Sequence, residues 1–292
     1  MTIQELLNSL AHIDFLGNRE AEIKRVAPFD PANTDAGTLM WVNEKRAAAI
    51  GNCRTGTLIV PSFDRSLVQP GCNYIMVENP RAAFAAILKK WFVQPRPKGI
   101  SASARVHASA VVGLDVYIGE NVVVEAGCVI GDRCSIGHNT VLISTRLEAD
   151  VSIGCNCTIG GAGFGYEKNT DGMQELMPHL GGVFIQHHAE IGNNTCIDRA
   201  VMGDTIIGAH VKIDNLVHIA HGVNIGENTL VIAHAMIGGS TSIGKNVWIA
   251  PAASLINKTE VGDDAVVGMG AVVIRPVESG QVVAGNPAKP LE

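Results

Sequence analysis

The chain has 292 residues, 47% of them hydrophobic but only 4% aromatic, with 32 glycines and a formal net charge of −6. That length fits one large domain with a small one, and the acidic balance argues against a nucleic-acid binder, which carries a basic field. Few aromatics and many glycines point to short strands packed through Ile and Val, with frequent turns.

The opening stretch "MTIQELLNSLAHIDFLGNRE" lacks the basic and apolar regions of a secretory signal. The longest apolar runs fall well short of the ~20 residues a spanning helix needs. The expectation is a soluble, cytoplasmic protein with no membrane span. The seven cysteines form no CxxC pair, and Cys155-Asn-Cys157 is too sparse for zinc, so they read as reduced, buried small residues. In residues 1–93, "AAAIGNCRTGTLIVPSFD" and "CNYIMVENPRAAFAAILKKWF" read as strands alternating with helices, a small α/β domain. Residues 94–103, rich in Pro, Gly and Ser, read as a linker.

From Val106 an aliphatic residue recurs every six positions: Val106, Val112, Ile118, Val124, Ile130, Ile136 and Leu142. The register slips, resumes at Ile153 and Ile159, and is interrupted by "GGAGFGYEKNTDGMQELMPHLGG". It returns at Ile185, Ile191 and Ile197, slips again, and runs unbroken from Ile207 to Val273. A six-residue period fits neither an amphipathic helix nor an alternating strand. It fits a hexapeptide β-helix over 104–275, with an inserted loop at 161–182. Three hexapeptides close a triangular coil, so residues eighteen apart stack at strand spacing, roughly 4.8 Å. Residues 276–292 read as a cap over the open end of the solenoid. A purely structural rod is the plain alternative, but a rod has no need of the inserted loop or of the histidines that follow it.

The order of these parts carries a resemblance. A small α/β domain with "LMWVNEKR" and "MVENPRAAFAAIL" precedes a hexapeptide helix. That helix contains "GGAGFGY", "NTCIDRAVMGDTIIG" and "DNLVHIAHGVNIGENT". This resembles the UDP-3-O-acyl-glucosamine N-acyltransferases of lipid A assembly, over about residues 30 to 275. The resemblance implies a left-handed parallel β-helix and a homotrimer with active sites in the clefts between subunits. It implies an acyl thioester donor and a nucleotide-linked amino sugar acceptor, with no bound cofactor or metal. It also implies that His221, in "IAH", is the general base.

Three departures stand beside it. Where the family stacks aromatics on uracil, Met40 and Arg46 occur, and only Asn43 of that set matches. Lys258 and Thr259 stand where a second histidine is expected. The family's carrier-protein-binding C-terminal helices are missing, and "VVAGNPAK" is similar to the ending of coenzyme A-dependent hexapeptide acetyltransferases. The donor is therefore an acyl group on acyl carrier protein or on coenzyme A. An acetyl-CoA-dependent acetyltransferase for another nucleotide amino sugar, and a non-catalytic β-helical scaffold, remain as alternatives.

Acyl transfer from a thioester to an amine needs a base with a pKa near 7 and a donor for the tetrahedral oxyanion. Eighteen residues after His221 is Gly239, whose N–H is the expected oxyanion donor. Asp214, in the preceding hexapeptide, is the expected orienter of the imidazole. Asn43, Tyr166, His218 and His234 are the expected substrate contacts, with His234 lining the donor tunnel. Gly285, Asn286 and Lys289 are the expected contacts to the donor. His187 and His188 are read as surface residues. A zinc site of the γ-carbonic anhydrase kind calls for histidines five apart, a spacing none of the ten has. The glycines of "GGAGFGY" are no phosphate loop, since they do not join a strand to a helix, and are expected to shape the base of the insertion.

Overall fold

The computed structural model describes residues 1–10, 14–32 and 35–291. The chain divides into two compact units, Met1–Pro95 and Arg96–Glu292.

In the first unit, β1 (Asp14–Leu16), β2 (Arg25–Val26), β3 (Thr38–Trp41), β4 (Gly56–Val60) and β5 (Cys72–Met76) form one sheet in the order β1-β5-β4-β3-β2. Only β1 is antiparallel to its neighbour. Every residue of β4 and β5 is buried, as expected of central parallel strands covered on both faces. Helix α1 (Ile3–Leu7) opens with a capping box between Thr2 and Glu5. Helix α2 (Pro80–Ile87) opens with Asn79 as its cap and Pro80 in its first turn, where a missing N–H costs nothing.

The second unit is a left-handed parallel β-helix whose three walls are sheets of nine, eight and eleven strands among the described residues. Most strands are two residues long, one facing in and one out, as at His218–Ile219 and Met236–Ile237. The aliphatic residue of each hexapeptide is the inward one. Ile219, Ile237 and Leu255 stack directly on one another and are fully buried. Many corners place a residue at positive φ, often Asn or Asp, whose short polar side chains tolerate that region. The Ile-Gly pairs serve close approach between coils: a Cβ on Gly226 would lie 2.5 Å from the carbonyl carbon of Gly244.

The β-helix starts earlier than the sequence suggests. Gly99–Ile100, within the expected linker, already pairs with Tyr117–Ile118. At the other end Val282–Ala284 extends the same wall, and Lys289–Pro290 folds back antiparallel on it. Coil-to-coil spacing is eighteen residues for most of the length. It becomes thirty-eight across the insertion, where Thr158 pairs with Cys196, and twenty-two in the next coil, where Cys196 pairs with His218. Cysteine usage also needs correction. Cys155 is only half-buried and Cys196 is exposed, because it occupies the outward position of its strand.

Among the described residues no helix is long and apolar enough to cross a membrane.

Candidate active site

His221 follows the strand His218–Ile219 at a corner of its coil. Gly239 occupies the equivalent place one coil on, and the two residues meet directly. A Cβ on Gly239 would sit 2.9 Å from both Nε2 and Cε1 of His221, so the imidazole fills the space that a side chain would take. The Gly239 N–H has no hydrogen-bond partner among the described residues. On another wall the N–H at the matching place can be satisfied from the next coil, as where Leu114 donates to Asp132 Oδ1 and Lys245 to Asp263 Oδ1, whereas on the wall of Gly239 the stacked His221 and Asn257 N–H groups likewise have no partner among the described residues. Asn257, the counterpart below Gly239, accepts no such bond. A free N–H therefore lies beside the Nε2 edge of His221.

These residues line a pocket of about 210 Å³ with Phe164, Asp198, His218, Ser240 and Lys258. Asp198 Oδ2 lies 3.7 Å from His218 Nε2. Burial raises the Asp198 carboxyl above the ordinary carboxylate range, and the facing histidines His218, His221 and His179 oppose the rise. Burial likewise holds His221 below the ordinary histidine value; His179 adds to the depression and Asp198 opposes it. The result is an imidazole kept neutral near pH 7, with a carboxylate near enough to stabilise its protonated form.

Asp214 does not take the orienting role expected of it. Its carboxylate accepts from the N–H of Asn215 at 2.7 Å and of Ala233 at 3.3 Å, and it lines a separate groove with Glu190 and Lys212. Residues seven apart lie on different walls of the triangular coil, whereas Asp198 belongs to the coil stacked on that of His221. The sequence reading also passed over His179. This residue is carried by the insertion, is 4% exposed, and packs edge-on to His221 with ring centroids 5.2 Å apart. A Cβ on Gly163 would strike both rings, at 2.8 Å from His221 Cδ2 and 2.9 Å from His179 Nε2, so one glycine of "GGAGFGY" makes the pairing possible.

The other expected residues fall at varied distances from this centre. His218 lines the pocket. His234 is exposed at a corner with φ 63° and stands outside the pocket lining. Tyr166 lies on the hairpin Tyr166–Lys168/Gln174–Leu176, exposed and packed on Phe164 at 4.9 Å. His187 and His188 are exposed and cluster with His210. Gly285 and Lys289 belong to the terminal fold-back, joined by Asn286. In the first unit Asn43 is exposed and caps the 3-10 helix Glu44–Asn52 by accepting from Arg46 N–H. Met40 is fully buried and presents no face to a base, while Arg46 stacks over Phe29.

Comparison with known proteins adds the identity of the scaffold. The bacterial transferase hexapeptide family (six repeats) matches residues 109–144 and 240–275. The UDP-3-O-acylglucosamine N-acyltransferase of Caulobacter vibrioides (strain NA1000 / CB15N) is 41% identical over 289 residues, spanning 94% of this chain and 85% of that protein. The chain belongs to the UDP-3-O-acylglucosamine N-acyltransferase family. The Helicobacter pylori (strain ATCC 700392 / 26695) member is 34% identical over 262 residues, spanning 83% of this chain and 76% of its own. Two solved structures share the fold. The UDP-N-acetylglucosamine acyltransferase of Campylobacter jejuni superposes with a TM-score of 0.59 at 19% identity, covering 66% of this chain and 74% of its own. The Arabidopsis UDP-N-acetylglucosamine acyltransferase gives 0.53 at 22%, covering 66% and 73%. This member of the family carries Lys258 on the wall of the pocket, with Thr259 buried beside it.

Proposed function

We propose that the protein transfers an acyl group from a phosphopantetheine thioester to the amine of UDP-3-O-acylglucosamine. The observation that carries this reading is the free Gly239 N–H beside a neutral imidazole in one pocket. As the amine nitrogen attacks the thioester carbonyl, His221 Nε2 takes its proton, a contribution of about 10²–10⁴ in rate. The oxyanion that forms receives the Gly239 N–H, preorganised because its backbone is fixed in a coil corner. Collapse breaks the carbon–sulfur bond, and the departing thiolate takes the proton from the imidazolium. The products are an amide and a free thiol, and the base is restored. Asp198 stabilises the transient imidazolium.

The phosphopantetheine thiol is common to acyl carrier protein and coenzyme A. We infer the carrier-protein thioester as the physiological donor from the sequence motifs alone, with the coenzyme A thioester as the competing donor. Lys258 adds a positive charge at the pocket wall, suited to an anionic group of either substrate. The active form is inferred to be a homotrimer. The pocket within one chain, about 210 Å³, is smaller than the roughly 300–1,000 Å³ usual for ligand sites. Phe164, 87% exposed, lines it, and Leu180 and Met202, 82% and 80% exposed, stand near each other on the chain next to His179 and Val201, apolar surface that a second copy would cover. Seven cysteines that form no disulfide among the described residues fit a reducing, cytoplasmic setting.

Thiol release tests the reading. The purified protein is given UDP-3-O-acylglucosamine with 3-hydroxyacyl carrier protein in one reaction and acetyl-CoA in another. Release from the carrier-protein thioester, dependent on the sugar, is the expected result. Release only from acetyl-CoA would assign the protein to acetyl transfer, and release from neither would refute this acceptor.

A further inference from the structure

His179 is buried next to His221, yet only one of its ring nitrogens is used. Nδ1 lies 2.7 Å from the Met177 carbonyl oxygen, which cannot donate, so Nδ1 carries the proton. Nε2 is then the lone-pair nitrogen. It is buried and has no hydrogen-bond partner among the described residues, an arrangement that native structures rarely keep without a purpose. Nε2 and the Cδ2 edge of His221 meet over Gly163. The rings stand at 74° to one another.

His179 is absent from the pocket lining. It stands behind the base. Gly239 confines the Nε2 and Cε1 end of His221, and Gly163, with His179 against it, confines the Cδ2 and Cβ side. We propose that His179 is a positioning residue for acyl transfer: anchored on the Met177 carbonyl, it holds His221 in the orientation that presents Nε2 beside Gly239 and shields its inner edge from water. The inserted loop thus builds the site from behind, as well as presenting Phe164 at its mouth. This inference rests on His221 being the base.

The groups facing His221 are Asp198 on the preceding coil, His218 on its own strand, Lys258 on the pocket wall and His179 from the insertion. Shielding by His179 acts in the same direction as the burial that already depresses the His221 pKa. Removing it admits water and moves the acidic limb of the pH profile upward.

The test is steady-state kinetics of full-length His179→Ala and His179→Phe across pH, with thermal unfolding measured alongside. Expected for His179→Ala is a fall in kcat of about tenfold or more, with KM for the amino sugar within about twofold. The acidic limb of its kcat/KM profile rises. His179→Phe refills the volume and brings the limb back toward the wild-type position, while kcat stays low because the anchor on Met177 is lost. A folded His179→Ala enzyme with kcat within about twofold and an unmoved limb overturns the proposal. So does a loss of activity in both variants that follows only the loss of folded protein. His221→Ala, run in parallel, separates the two claims. An active His221→Ala removes the base itself, whereas an inactive one beside a normal His179→Ala removes only the role of His179.

Discussion

His221 and Gly239 are complementary halves of one small space: the imidazole edge bearing Nε2 and Cε1 occupies the volume in which a Gly239 side chain would stand, 2.9 Å from each atom. The relationship follows from the repeat, since the two residues are eighteen apart and hold equivalent corners of adjacent coils. It brings a proton acceptor and an unpaired N–H together without any side chain between them.

Gly239→Ala tests this packing. The added methyl forces the ring aside while leaving the backbone N–H in place. Misplacement of a reacting group by about 1 Å costs on the order of 10²-fold in rate. We expect kcat to fall by about that factor with an unchanged unfolding midpoint, measured by thiol release and thermal denaturation. Near wild-type turnover would mean that the ring does not need this position.

The pH dependence has a definite sign. His221 is depressed below the ordinary value of 6.5, so the acidic limb of kcat/KM falls below that pH. Asp198 works against the depression, because its negative charge favours the imidazolium. Asp198→Asn removes that charge, so the limb moves to lower pH still. The same change removes stabilisation of the protonated base in the transition state, and kcat falls by roughly ten- to a hundredfold. A limb displaced to higher pH would contradict the placement of Asp198 as the partner of His221.

The inward column beneath the site sets its rigidity. Ile237 is fully buried between Ile219 and Leu255. Truncation to Ala leaves a cavity that stacked coils cannot easily close, so Ile237→Ala should destabilise by about 2–5 kcal/mol. Denaturant unfolding measures this, and a change below about 1 kcal/mol would show that the coils relax around the gap.

How much of this was legible in the sequence depends on the regularity of the repeat. The six-residue period marked the inward positions one by one, from Ile207 to Val273, because each hexapeptide supplies one inward side chain. Counting eighteen from His221 found Gly239 for the same reason. Counting fails where the coil changes length. Cys196 pairs with His218 at a spacing of twenty-two, so the carboxylate that reaches the histidines is Asp198, and no fixed offset from His221 finds it. The alternation around Ile197, aligned on Ile219, held that signal had the slip been read as a four-residue insertion within one coil. His179 was beyond reach by counting, since the path of an inserted hairpin is set by its own turns and by the glycine at 163. Asn43 was singled out by its motif, and its capping role appears only with the 3-10 helix that follows it.

Assembly is open to a direct check. Leu180 donates its N–H to Val201 O, next to Met202, and both side chains are more than three-quarters exposed. Leu180→Glu with Met202→Glu places two charges on that patch. Analytical ultracentrifugation should show a trimer for the native protein and a smaller species for the variant, with activity lost in step. A stable, active trimer in the variant would place the subunit contact elsewhere.

The central claim is that His221 takes the proton from the attacking amine, and turnover by His221→Ala with UDP-3-O-acylglucosamine and 3-hydroxyacyl carrier protein tests it most directly. The account predicts a variant that folds and assembles like the native protein and has lost about 10²–10⁴ in kcat. A His221→Ala enzyme retaining near-native turnover would contradict it.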